Sequence, residues 1–147
     1  MMELSVIIVS FNVREYLKQA LISVIGAARE IHHEIIVVDN HSTDGSDEMI
    51  RHEFNTVKLI VSGVNEGFSA ACNRGIQSSS GNFILILNPD TVVAPEALTR
   101  ALDFMHSHPE AGAAGARLTD GNGKFLPESK RGFPSPVTSL FKFSGMG

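Results

Sequence analysis

The chain has 147 residues, with 12 Lys plus Arg against 16 Asp plus Glu, a formal net charge of −4, and 43% hydrophobic residues. That length suits one domain, the apolar share excludes a disordered chain, and the acidic balance excludes a general nucleic-acid binder, which needs a basic footprint. No apolar run approaches the roughly 18–20 residues of a membrane span, no basic and apolar leader is visible, and the single cysteine, Cys72, suits a reducing cytoplasm.

Ser5–Ser10 is a continuous apolar run and predicts a strand covered on both faces. Leu17, Ala20, Leu21, Val24, Ile25 and Ala28 recur at helical intervals and predict one buried stripe, weakened near its end by Gly26. Glu34–Asp39 reads as the second strand, followed by a polar loop at 40–45. Ser46 is placed as an N-cap, with Asp47 and Glu48 in a first turn that the helix dipole favours. That helix ends near Phe54, and Val57–Val61 is the third strand. After the turn-rich loop Ser62–Gly67, small residues over 68–76 predict a helix that packs closely, ended by Gly81 and Asn82. Phe83–Leu87 is the fourth strand and stops at Asn88-Pro89-Asp90. Pro95 is expected to open a helix with Ala97, Leu98, Ala101, Leu102 and Met105 on its buried face; Pro109 ends it. Ala113–Leu118 is expected as a fifth strand, and the turn dipeptides over 120–123 predict a hairpin into Lys124-Phe125-Leu126. Beyond Pro127 the pattern dissolves into a tail that completes no element. Strands alternating with helices argue for βαβ units, an α/β fold and a mainly parallel sheet.

In such sheets ligands bind at the carboxyl ends of the strands. Ser10, Asn12, Asp39, Asn40, Asn65, Asn88 and Asp90 collect there. The turn after the first strand, Ser10-Phe11-Asn12-Val13-Arg14, carries none of the glycines of a dinucleotide site. A phosphate-binding P-loop, a Cys/His set with zinc spacing and a hydrolase nucleophile elbow are also missing from the sequence. His32-His33 reads as a solvated loop pair.

Ser5–Asn12 (SVIIVSFN), Ile36–Ser46 (IVVDNHSTDGS), Asn65–Gly75 (NEGFSAACNRG) and Ile84–Thr91 (ILILNPDT) together resemble the donor-binding half of family 2 glycosyltransferases of the GT-A fold. Within that family the motifs look most like those of bacterial rhamnosyltransferase-type enzymes of cell-surface polysaccharide assembly. The four motifs match in order and spacing over about residues 3–118. The resemblance implies a three-layer α/β/α sandwich. It also implies an inverting transfer of sugar from a nucleotide-diphosphate sugar to an acceptor hydroxyl on a saccharide or lipid-linked saccharide. Residues 1–118 would bind the donor, and 119–147 would be a hairpin and irregular tail leading into an acceptor half.

The resemblance gives Asp39 the task of accepting a hydrogen bond from a pyrimidine ring N–H; the alternative is a turn aspartate capping the next loop. It lays Ser10 and Asn12 along base and ribose, where they could equally be strand-end turn formers. Asn65, Gly67, Asn73 and Arg74 fall beside the nucleotide. Gly67 would let backbone approach the ligand, and Arg74 offers a donor fork for phosphate or base oxygens. The plainer reading of Arg74 is a salt bridge to Asp39 or Asp44, and that of Cys72 is packing.

The family's Asp-x-Asp metal motif stands here as Asn88-Pro89-Asp90. Asp90 is therefore the expected ligand of Mg2+ or Mn2+ bridging the diphosphate, with Asn88 orienting ribose or a metal-bound water. Its alternative is a turn in which Asp90 or Thr91 caps the next helix. No general base is visible: Asp120 sits in a turn, and Glu128 lies beside Lys130 and Arg131. Arg131 precedes a Phe133-Pro134 pair that would bring a basic group to the donor. Two other readings stay open: a non-catalytic binding module of the same fold, and a nucleotidyltransferase. The expected location is cytoplasmic, at the inner face of the membrane for the whole enzyme. Apolar surface left by the missing half offers a homodimer contact.

Overall fold

The computed structural model describes residues 2–126. One compact unit spans Met1–Pro109, and a second begins at Glu110. The expectations for Pro127 onward, including Glu128 and Arg131, lie outside the described residues. The first unit runs β1 (Leu4–Ser10), α1 (Arg14–Ala27), β2 (His33–Asp39), α2 (Ser46–Glu53), β3 (Lys58–Val61), α3 (Phe68–Gln77), β4 (Phe83–Leu87) and α4 (Ala97–Ser107).

The four strands form one parallel sheet in the order β3-β2-β1-β4. Position in that order explains the sequence pattern. Central β1 is buried along its whole length, and β2 is buried from Ile35 onward. A strand covered on both faces needs apolar residues at every position, which is what the continuous runs supply. The steps β1–α1–β2 and β2–α2–β3 move one way across the sheet, while α3 makes the return from β3 to β4. Right-handed crossovers then put α1 and α2 on one face and α3 on the other. Packing agrees. Leu17, Leu21 and Val24 of α1, Met49 and Ile50 of α2, and Leu98 and Leu102 of α4 share one core with Val6, Ile8 and Val37. Ala71 and Cys72 of α3 share the other with Val9, Ile36 and Val38. This is the expected three-layer α/β/α sandwich.

Gly75 is why α3 sits so close: a Cβ there would lie 2.5 Å from Ile7 Cγ2. α3 lies over β1 and β2. On that face Ile84 and Ile86 of β4 remain 43% and 47% exposed. At the opposite end of the strands, Ser5 Oγ and Ser80 donate to Glu34 Oε1, and Gly81 N–H donates to Ser5 Oγ. Burial pushes the Glu34 pKa up, but these bonds and Lys58 outweigh it and hold it below its ordinary value.

Several local expectations are corrected. Ser46 is the first residue of α2, not its cap; Gly45, at φ +77°, occupies the cap. Capping is done from two residues upstream, since Asp44 Oδ1 accepts the N–H and hydroxyl of Ser46. His33 opens β2 instead of lying in a loop, and its Nδ1 contacts the Ile31 carbonyl at 2.8 Å. Pro95 precedes α4, whose buried residues are Leu98 and Leu102 alone; Ala97 and Ala101 face out. Ala113–Leu118 forms no strand. The predicted hairpin is reduced to a Thr119–Phe125 bridge, closed by Asp120 N–H to Lys124 O.

Candidate functional site

The strand order reverses between β1 and β4, the place where an open α/β sheet leaves a crevice beyond its carboxyl ends. A cleft of about 290 Å³ opens there. Its apolar walls are Val9, Phe11, Val13, Phe68 and Pro89, and its polar groups are Asn40, Asn65 and Asn88. Phe11 and Phe68 are 46% and 51% exposed.

Register places Ser10 beside Asp39 at the tips of β1 and β2. Asp39 is 1% exposed. Its Oδ2 accepts the Ser42 N–H at 3.0 Å, so the loop-capping role is real. The other oxygen has a different fate: Asp39 Oδ1 and Ser10 Oγ are buried without a hydrogen-bond partner among the described residues. An unsatisfied buried polar atom costs about 1–3 kcal/mol, and these two lie together at the strand tips, behind the residues that line the cleft.

The loops after β1 and β2 are tied to each other. Asn12, at φ +55°, accepts the Thr43 N–H on Oδ1 at 2.7 Å and donates its own N–H to Ser42 Oγ. Its carbonyl is thus spent on architecture. Asp44 Oδ2 accepts the Arg14 N–H at 2.8 Å and so joins the first turn of α1 to that of α2. Burial raises the Asp44 pKa, but the hydrogen bonds from Ser46 and Arg14 prevail and hold it below its ordinary value.

Asn40 organises the third loop. It is 2% exposed and donates its N–H to Ser10 O. Its Nδ2 donates to Asn65 Oδ1 at 2.8 Å, and its Oδ1 accepts the Glu66 N–H at 3.0 Å. Asn65 Oδ1 also accepts the N–H of Gly67, whose φ of +82° suits glycine. Arg74 bonds Ser62 Oγ at 2.8 Å and Glu66 Oε2 at 3.0 Å. The salt-bridge partner is therefore Glu66; the suggested Asp39 or Asp44 pairing does not form. Asn73 is exposed on α3 and does not line the cleft. Cys72 is buried, and burial pushes its thiol pKa up, as for a packing residue.

Asn88 and Asp90 are exposed on the loop after β4, where Thr91 N–H bonds Asn88 O. Neither Asp90 nor Thr91 caps α4, whose cap position is Glu96. Among the described residues no group of three or more His, Cys, Asp or Glu side chains could hold a metal. Among the described residues, then, no protein-built cage is formed. That donor set fits an ion that takes one carboxylate from the protein and its other oxygens from a diphosphate.

Asn40 and the two phenylalanines carry weight that their sequence positions alone did not reveal. Asn40 follows Asp39 directly, and its offset from Asn65 gives no sign of contact. The signal for Phe11 and Phe68 is an aromatic beside each of two polar strand-end motifs.

The family model for glycosyl transferase family 2 matches residues 5–145. An N-acetylglucosaminyl-diphospho-decaprenol L-rhamnosyltransferase of Mycobacterium tuberculosis is 29% identical over 145 residues, covering 91% of this chain and 47% of that protein. The chain thus spans about half the length of that relative. Residues 1–349 of S. aureus TarS in complex with UDP-GlcNAc align with a TM-score of 0.64 at 28% identity, over 74% of this chain and 32% of that one. A mannosyltransferase from Pyrobaculum calidifontis, in complex with GDP-Man and Mn2+, shares the fold with a TM-score of 0.65 at 21% identity, over 77% of this chain and 34% of that one. With its motifs in order, its parallel sheet and nearly its whole length matched, the chain belongs to glycosyl transferase family 2.

Proposed function

We propose that the chain is the donor-binding part of an inverting glycosyltransferase. It would take a nucleotide-diphosphate sugar as donor and a hydroxyl of a saccharide or lipid-linked saccharide as acceptor, in bacterial cell-surface polysaccharide synthesis. The observation that carries this reading is the orphaned Asp39 Oδ1, buried beside the equally orphaned Ser10 Oγ at the strand tips. A base with an in-plane ring N–H, such as uracil, thymine or guanine, would satisfy that acceptor. Phe11 and Phe68 would screen its faces from water, and Asn65 and Asn88 would meet ribose or phosphate. The names of the relatives support the substrate class, and the rhamnosyltransferase relative supports a lipid-linked acceptor.

Asp90 would hold Mg2+ or Mn2+ together with the diphosphate. When bound, that ion neutralises charge on the departing nucleoside diphosphate. Abstraction of the acceptor proton needs a base. Asp120 Oδ1 is engaged in the hairpin turn, where it accepts the N–H groups of Asn122 and Lys124. We place the base outside residues 2–126. Among the described residues no helix is long and apolar enough to cross a membrane; we propose a cytoplasmic site of action at the inner membrane face.

Calorimetric titration with UDP, dTDP and GDP, with and without Mg2+ or Mn2+, tests the reading. Binding of at least one nucleotide, tightened by the ion, is expected. No binding of any nucleotide by folded protein would overturn it.

A further inference from the structure

We infer that Asn40 is a positioning residue that fixes the polarity of the cleft by orienting the side-chain amide of Asn65. The inference rests on the reading of the cleft as a nucleotide site. Backbone N–H groups can only donate, so they decide which end of each amide is oxygen. Glu66 N–H meets one end of Asn40 at 3.0 Å, which makes that end Oδ1 and leaves Nδ2 to face Asn65. Gly67 N–H meets Asn65 at 2.9 Å, on the same oxygen that accepts from Asn40 Nδ2. Two donors occupy Asn65 Oδ1. Its NH2 group is then the end offered to the cleft that Asn65 lines. There it is a donor for an oxygen of the bound nucleotide.

Only a carboxamide at position 40 does both tasks, because it must accept from Glu66 and donate to Asn65 in one plane. Its burial and its own N–H bond to Ser10 O hold it at the junction of β1 and β2. The same junction carries the orphaned Ser10 Oγ and Asp39 Oδ1. Asn40 thus acts on the donor side of the cleft, through Asn65.

The test uses isosteric variants of the whole chain, titrated with whichever of UDP, dTDP or GDP the unaltered protein binds best. Asn40→Asp keeps the bond from Glu66 but faces Asn65 with an oxygen. The Asn65 oxygen, still held by the Gly67 N–H, then faces a carboxylate oxygen, so the amide is pushed out of place or turns and gives up the Gly67 bond. Affinity is expected to fall roughly tenfold, the loss of one hydrogen bond to a charged or strongly polar group. Asn65→Asp keeps both bonds it accepts and replaces the cleft-facing NH2 with oxygen; the same loss or more is expected. In an Asn65→Ala background, Asn40→Asp should cost nothing further. An affinity for Asn40→Asp within twofold of the unaltered protein would overturn the inference. So would a loss that persists undiminished in the Asn65→Ala background. Should Asn40→Asp fail to fold, the side-chain NH2 resonances of the unaltered protein decide. Asn65 Nδ2 protons that shift on nucleotide addition support the inference, and unmoved ones overturn it. If the unaltered protein binds no nucleotide, the reading of the site fails instead.

Discussion

Asp39→Asn separates binding from stability. The amide keeps an oxygen for the Ser42 N–H, now accepted by Asp39 Oδ2 at 3.0 Å. It places NH2 where the unpartnered Oδ1 now lies. A ring N–H of the base then meets a donor in place of an acceptor. A hydrogen bond to a charged group contributes about 1.5–3 kcal/mol. At about 1.4 kcal/mol per tenfold, nucleotide affinity should fall roughly tenfold to a hundredfold. Stability should not fall with it. Asp39 is 1% exposed, and a buried neutral amide costs less than a buried carboxylate lacking one partner. The assay pairs calorimetric titration with a urea melt of the same samples. Unchanged affinity would falsify the role given to Asp39. Lost affinity accompanied by a large drop in urea midpoint would show instead that the side chain serves the fold.

Close packing gives a second prediction. Gly75→Ala gains about 1 kcal/mol of helix propensity but sets a methyl 2.5 Å from Ile7 Cγ2, and overpacking of about 1–3 kcal/mol should leave a small net loss. Gly81→Ala has no helix to gain and meets the backbone of Ser5 at 2.6 Å, so its urea midpoint should be the lower of the two. Acid provides a third. The Asp44 and Glu34 pKa values are both lowered in the folded chain, so their stabilisation is complete above the ordinary carboxylate range near about 4 and is lost as pH falls through the lowered values. Asp44→Asn with Glu34→Gln should flatten the acid limb of a stability-versus-pH curve; an unchanged slope would count against both networks. The uncovered β4 face gives a fourth: Ile84→Ser and Ile86→Ser, at 43% and 47% exposed, should each cost under about 1 kcal/mol, against about 2–5 kcal/mol for Ile7→Ala at 0%. Equal costs in denaturant melts would refute that assignment of faces.

The central strands were legible because burial on both faces forces an unbroken apolar run, and the α1 stripe because it fills one face of the sheet. The edges were harder. β4 reads as the most apolar strand, yet α3 packs mainly on β1 and β2, and every second β4 residue stays half-exposed. Ala113–Leu118 has a strand's composition, but composition does not provide a neighbouring strand to pair with. Ser46 has the right chemistry for a cap, but its N–H and hydroxyl both go to Asp44 Oδ1 and it becomes the first helical residue. In the candidate site, Asp39, Ser10, Asn65 and Asn88 could be named from their places after strands. The Asn40–Asn65 pair could not, because which loops meet is decided by the sheet order. Arg74 shows the same limit: its charge was legible and its partner Glu66 was not.

The sheet order also dictates a schedule. Leu4 pairs with His33 on one side and with Phe83 on the other, so β1 is made first and completed late. Until the fourth strand leaves the ribosome, one edge of the innermost strand stands open, and such long-range parallel closure is slow. The crevice shares that timing, since Asn88 and Pro89 form its final wall. A ligand of the crevice would therefore meet a finished pocket only after β4 has docked, and one that bridged the β1 and β4 loops would act as a clasp on the last joint to close.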